Sequence, residues 1–176
     1  SIERIEVRNG KEHLQTVRGH GQVDLGARVR VLWSGAEYRG RGRETNWVGE
    51  VRFAGAKIKA LSKVNSWNHE RRLEQVGDDT VAFDAITTGN FSGFDVWLDE
   101  AAAARLEIES NLVNEAVPLA DVGLQDTVFD AGALRRQIKV FRLPEELDSR
   151  EISIAVPVEL TPDADNPLWV CVTTED

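Results

Sequence analysis

Arg28-Val29-Arg30-Val31-Leu32-Trp33 reads as a β-strand before anything else about the chain is considered. Val29, Val31 and Trp33 fall at every second position, with Arg28, Arg30 and Leu32 between them. Successive side chains of a strand point to opposite faces, so this spacing predicts an apolar buried face and a charged face toward water. The same period runs outward in both directions. Trp47, Val51 and Phe53 share a face with Gly49, while Glu50 and Arg52 point away. Leu106 and Ile108 alternate with Arg105, Glu107 and Glu109, and Ile152, Ile154, Val156 and Val158 alternate with Ser153, Ala155 and Pro157. Pro157 makes that last run an edge strand, because proline brings no N–H to a ladder. The predicted core contains Val31, Trp33, Val51, Phe53, Val96, Ile154 and Val170.

Turn signals separate the runs. Asn9-Gly10 lies between Ile5/Val7 and Leu14/Val17 and predicts a hairpin. Ala54-Gly55, Gly77-Asp78-Asp79, Gly89-Asn90 and Gly93 punctuate the middle of the chain. Helix signals are short: Asp99 as N-cap of one turn over the following alanines, and Pro144 opening another. The pattern predicts about a dozen strands at the spacing of sandwiches and barrels. The expected fold is all-β, a two-sheet sandwich of immunoglobulin-like architecture, with a β-barrel as the alternative. One continuous domain over 1–176 is the simplest organisation.

Bulk chemistry narrows the function classes. The chain has 176 residues and one cysteine, so no intrachain disulfide forms. No apolar run approaches the roughly 18 residues of a membrane-spanning helix, and no charged-then-apolar leader opens the sequence. Methionine is absent even at the first position, and the chain is expected to be a piece of a larger protein or a processed product. Net charge is −9. Residues 1–88 carry 15 basic and 12 acidic side chains, and residues 89–176 carry 6 and 18. Such a balance disfavours nucleic-acid backbones and anionic membranes as partners. Cytoplasm and periplasm are not distinguished.

Catalytic chemistry has few carriers. His13, His20 and His69 show no ligand spacing, whereas a hydrolytic metal site gathers several histidines and carboxylates. Cys171, inside Leu168-Trp169-Val170-Cys171-Val172, reads as a small buried hydrophobe of a core strand. No serine sits in Gly-x-Ser-x-Gly. Gly89-Asn90-Phe91-Ser92-Gly93 lacks the Lys-Ser/Thr ending of a phosphate loop. No catalytic, cofactor or metal residue is assigned, and the chain alone is not expected to be an enzyme.

Two segments carry binding chemistry. Arg39, Arg41 and Arg43 alternate with glycines before Trp47, which suits a docking or anion-contact strand; arginines that face water are the plainer alternative. Asn65-Ser66-Trp67-Asn68 sets an aromatic ring among amide and hydroxyl groups, a composition suited to sugar contact; a loop pinned by a core tryptophan is the alternative. Arg39, Arg41, Arg43, Trp47, Trp67 and Asn68 are the candidate contact residues.

Several stretches also carry a family likeness: Arg4-Ile5-Glu6-Val7-Arg8-Asn9-Gly10, Val31-Leu32-Trp33-Ser34-Gly35-Ala36-Glu37 through Gly40-Arg41-Gly42-Arg43 to Trp47, Thr87-Thr88-Gly89-Asn90 with Gly93-Phe94, and Leu168 to Asp176. Together they resemble the C-terminal region of a bacterial family similar to the polymerase-and-histidinol-phosphatase superfamily of metal-dependent phosphoesterases. None of that superfamily's metal motifs occurs here. The resemblance therefore implies a non-catalytic accessory domain that packs on, or positions substrate for, an upstream catalytic domain of the same polypeptide. A carbohydrate- or small-ligand-binding module is the second hypothesis, and exposure of Trp47 and Trp67 would favour it. A free-standing enzyme is the third.

Overall fold

The computed structural model describes residues 1–36 and 43–175. Its architecture is all-β. Thirteen strands form three antiparallel sheets, none closed into a barrel, and the helical residues are single 3-10 turns among the described residues. The chain divides into two compact units, Leu25–Glu145 and Ser1–Asp24 with Glu146–Asp176.

The larger unit is a two-sheet sandwich. In chain order its strands are β3 (Arg28–Ser34), β4 (Thr45–Ala54), β5 (Ile58–Val64), β6 (Leu73–Val76), β7 (Thr80–Thr87), β8 (Phe91–Leu98), β9 (Arg105–Ser110), β10 (Asn114–Pro118), β11 (Thr127–Asp130) and β12 (Gln137–Leu143). One sheet runs β11-β12-β3-β8-β5 and the other β10-β9-β4-β7-β6. The predicted inner faces meet between them: Val29, Val31, Trp33, Phe94 and Val96 from one sheet, Trp47, Val51, Phe53, Leu106 and Ile108 from the other, all fully buried. Trp33 stacks on Phe83 across the sandwich at 4.7 Å between ring centroids. Burial of this apolar surface drives the sandwich together.

The charged face of β3 departs from expectation. Arg28 and Arg30 are buried, not solvated. Arg30 lies directly opposite Asp95 on β8 and donates to it through Nε at 2.6 Å and Nη2 at 2.8 Å. Arg28 reaches the same carboxylate through Nε at 3.1 Å and through Nη2. It also stacks over its own cross-strand neighbour Trp97, 4.8 Å from the ring centroid. Buried charge persists where it is paired and hydrogen-bonded, and Asp95 meets that condition for both arginines.

The smaller unit holds β1 (Ile2–Asn9), β2 (Glu12–Val17) and β13 (Leu168–Thr174) in the order β13-β1-β2. Asn9-Gly10 makes the expected β1–β2 hairpin, with Gly10 at φ +57°, a backbone region that favours glycine. Three readings of this region need correction. Val170 is exposed and Ile154 half-buried, so neither belongs to the core. Cys171 is exposed on β13. Residues 151–158 keep their alternation of exposed and half-buried side chains but join no sheet, so Pro157 sits in no edge strand. A period of two reports side-chain coverage. It does not by itself supply a strand to pair with.

The helix signals also shift. Glu100, not Asp99, occupies the N-cap position of the turn Ala101–Ala103, and it makes no side-chain capping bond. Asp99 instead accepts the backbone N–H of Lys57 at 2.7 Å and of Glu100 at 2.8 Å, which holds its carboxyl below the ordinary aspartate range. Pro144 opens no helix.

Candidate functional site

The cleft that collects binding chemistry lies in the sandwich, where the β5–β6 connection meets the β7–β8 turn. The chain leaves β5 at Asn65, which adopts φ +50°, a left-handed conformation that asparagine tolerates better than most residues. The Asn65 side-chain amide donates to the Phe91 carbonyl at 2.6 Å. That bond fixes the connection against β8. Trp67 then projects outward with 79% of its surface exposed, an uncommon state for the largest apolar side chain.

Three amides that line the same cleft each have one end fixed by the backbone. Asn68 accepts from the Glu70 N–H at 2.9 Å, and Asn90 accepts from the Thr88 N–H at 2.8 Å. Asn65 is held through its donor. At their opposite ends, the donor groups of Asn68 and Asn90 and the acceptor oxygen of Asn65 carry no hydrogen bond among the described residues. Arg71 and Asp84 add an ion pair at 2.5 Å on the cleft wall. Trp33 borders the cleft from the core, and its indole N–H is buried without a partner among the described residues. The cavity volume is about 90 Å³, below the roughly 300–1,000 Å³ of enclosed small-ligand sites, so the cleft grips the edge of a ligand and does not enclose one. A flat apolar ring, neutral donors and acceptors, and an internally compensated ion pair suit an uncharged, hydroxyl-rich ligand.

The remaining candidate residues are placed differently. Trp47 is a correction: it is fully buried on the inner face of β4, with its indole N–H donating to Thr87 Oγ1 at 2.9 Å. Its one polar group is satisfied inside, so nothing draws the ring to the surface. Arg39 and Arg41 lie outside the described residues. Arg43 is half-buried and lies against the Gly89 turn, where a Cβ on Gly89 would collide with its guanidinium. Of the candidates, Trp67 and Asn68 therefore share the cleft. Sequence reading missed Trp33, Asp84, Asn90 and Ser92 as their neighbours. The 65–68 and 90–92 segments are distant in sequence and converge through the β5–β8 ladder, the Asn65–Phe91 bond and the Ser92 hydroxyl, which donates to the Val64 carbonyl at 3.4 Å.

A second concavity on the outer face of the other sheet is ionic, lined by Glu50, Arg52, Thr80, Glu107 and Glu109. Arg52 is engaged there by Asp79 at 2.9 Å and Glu107 at 3.8 Å. Among the described residues no group of three or more His, Cys, Asp or Glu could hold a metal ion, and no helix is long and apolar enough to cross a membrane. No family model, curated protein or solved structure matches the chain.

Proposed function

We propose that the chain is a non-catalytic binding module whose cleft takes a neutral, hydroxyl-rich ring such as a sugar. The exposure of Trp67 beside amides with unused ends carries this reading. An indole face stacks on the C–H face of a sugar ring, and Asn65, Asn68 and Asn90 are arranged to meet its hydroxyls. An accessory role beside a metal-dependent phosphoesterase-like domain, as the sequence resemblance implies, is compatible with it: a domain that positions substrate needs a grip, and the cleft supplies one.

Screening the protein on an array of neutral and anionic glycans, followed by titration calorimetry of the hits, tests the proposal. Neutral glycans are expected to bind. Trp67→Ala is expected to weaken binding about tenfold or more while leaving the melting temperature unchanged. Trp47→Phe, in contrast, is expected to lower stability by about 1 kcal/mol through loss of its indole hydrogen bond and to leave affinity alone. Absence of any glycan ligand, or binding indifferent to Trp67→Ala, would refute the assignment.

A further inference from the structure

Edge strand β13 lacks two of the usual defences of an edge. In the order β13-β1-β2 its outer side is open among the described residues. From Leu168 to Thr174 it contains no charged residue and no proline, the two devices that most often discourage strand addition. Leu168, Trp169, Val170 and Val172 are each more than half exposed.

The ladder with β1 shows which backbone groups face outward. Gly10 donates its N–H to the Pro167 carbonyl at 2.7 Å, and the register continues Asn9↔Leu168, Val7↔Val170 and Ile5↔Val172. Hydrogen-bonded and non-hydrogen-bonded pairs alternate along an antiparallel ladder. Pro167, Trp169, Cys171 and Thr173 therefore turn their backbone toward β1. Leu168, Val170, Val172 and Thr174 present N–H and C=O groups to the open edge.

We propose that β13 pairs antiparallel with β13 of a second copy of this chain, about a dyad at Cys171. The strand is its own complement in that register. Leu168–Thr174 maps onto itself over its full length, and every outward backbone group meets another. Val170 faces the partner's Val172, so one row across the joined sheets reads Val7, Val170, the partner's Val172 and the partner's Ile5. The dyad repeats that aliphatic row. On the opposite face Trp169 meets the partner's Thr173. No charged residue of either strand lies opposite another. A two-fold interface requires this kind of self-complementarity, and the pairing sets the exposed aliphatics of β13 against those of the partner, in line with Ile5 and Val7, which are already buried.

The register also gives a covalent reporter. Cys171 falls at a non-hydrogen-bonded pair, where opposed Cα atoms lie about 4.5 Å apart, within the roughly 4.4–6.8 Å that a disulfide spans. The test is sedimentation or light scattering of the 176-residue chain under reducing conditions, then gel analysis after mild oxidation. An apparent mass twice that of the 19.6 kDa chain is expected, retained in Cys171→Ser. Val170→Lys and Val172→Lys are expected to weaken dimerisation on the order of a hundredfold by setting a charge within the aliphatic rows, with circular dichroism unchanged. Oxidation of the wild-type protein should yield a Cys171–Cys171 cross-linked dimer. A monomeric wild-type chain overturns the proposal and leaves the edge to a foreign strand. A dimer untouched by the lysines overturns the assignment to β13, and a lysine-sensitive dimer without the cross-link overturns the register. If the lysine variants misfold, wild-type cross-linking decides.

Discussion

Strands β3 and β13 have nearly the same apolar character in sequence and opposite fates in the fold. Val29-Arg30-Val31-Leu32-Trp33 lies at the centre of a five-stranded sheet, and even its arginines are buried. Leu168-Trp169-Val170-Cys171-Val172 lies at the edge of a three-stranded sheet with every one of these side chains exposed. Hydrophobicity along a strand thus states a demand for cover. Position in the sheet decides whether the chain itself meets it. β3 has β12 and β8 beside it and an opposing sheet over its apolar face, while β13 has β1 alone.

The contrast can be broken most forcefully with aromatic truncations. Phe94→Ala, on the inner face next to β3, is expected to cost about 4 kcal/mol through lost transfer energy and a residual cavity. Trp169→Ala on β13 should change stability by less than about 0.5 kcal/mol in dilute solution. Denaturant midpoints of the two variants check this, and equal losses would mean that β13 is covered within its own chain.

Asp95 gives the next effect. Removing it leaves Arg28 and Arg30 buried without the carboxylate both engage. Asp95→Ala is expected to cost about 3 kcal/mol, since one member of a buried ionic group is lost while the others remain. Exchanging all three residues for apolar ones of similar volume should recover much of that loss. If urea denaturation finds Asp95→Ala as stable as the wild type, the cluster is hydrated and the arginines are not truly buried.

The smallest effect distinguishes the smaller unit by pH. Burial, followed by the neighbouring Arg18 charge, holds the His20 imidazole below its ordinary value of 6.5. A group with a lower pKa folded than unfolded binds fewer protons in the folded state near that pH. Its stabilising contribution is complete above about 6.5 and declines as the pH falls through that value toward the folded pKa. The wild-type melting temperature should therefore drop between neutral and mildly acidic pH, and His20→Gln should flatten that slope. Parallel slopes for the two proteins would remove His20 from the account.

Much of the sandwich was legible from period and punctuation. The apolar phases of β3, β4 and β9 were correct because each sets one apolar face against the opposing sheet, although the other face of β3 is buried as well. Gly10 marked a hairpin because a tight turn needs a positive φ there. In the cleft, Asn65-Ser66-Trp67-Asn68 stood out by composition, since an aromatic among amides is unusual within four residues. Alternation placed Trp47 correctly on a face with Val51 and Phe53, but as a contact residue it was misread, because a tryptophan beside an arginine–glycine segment has the same composition whether its ring lies in the core or in solvent.

The sequence by itself determined the β class, the hairpin at Asn9-Gly10, most of the inner faces and the aromatic–amide segment, because these depend on neighbours within a few residues. The tertiary structure alone decided which strands are central and which are edges. It also decided that Arg28 and Arg30 find Asp95 rather than water, that Asn90 joins Trp67, and that Cys171 is exposed. Those outcomes depend on strand order, which brings together residues far apart in the chain. Strand order is set by which apolar faces can cover one another, a many-body condition that no local pattern encodes.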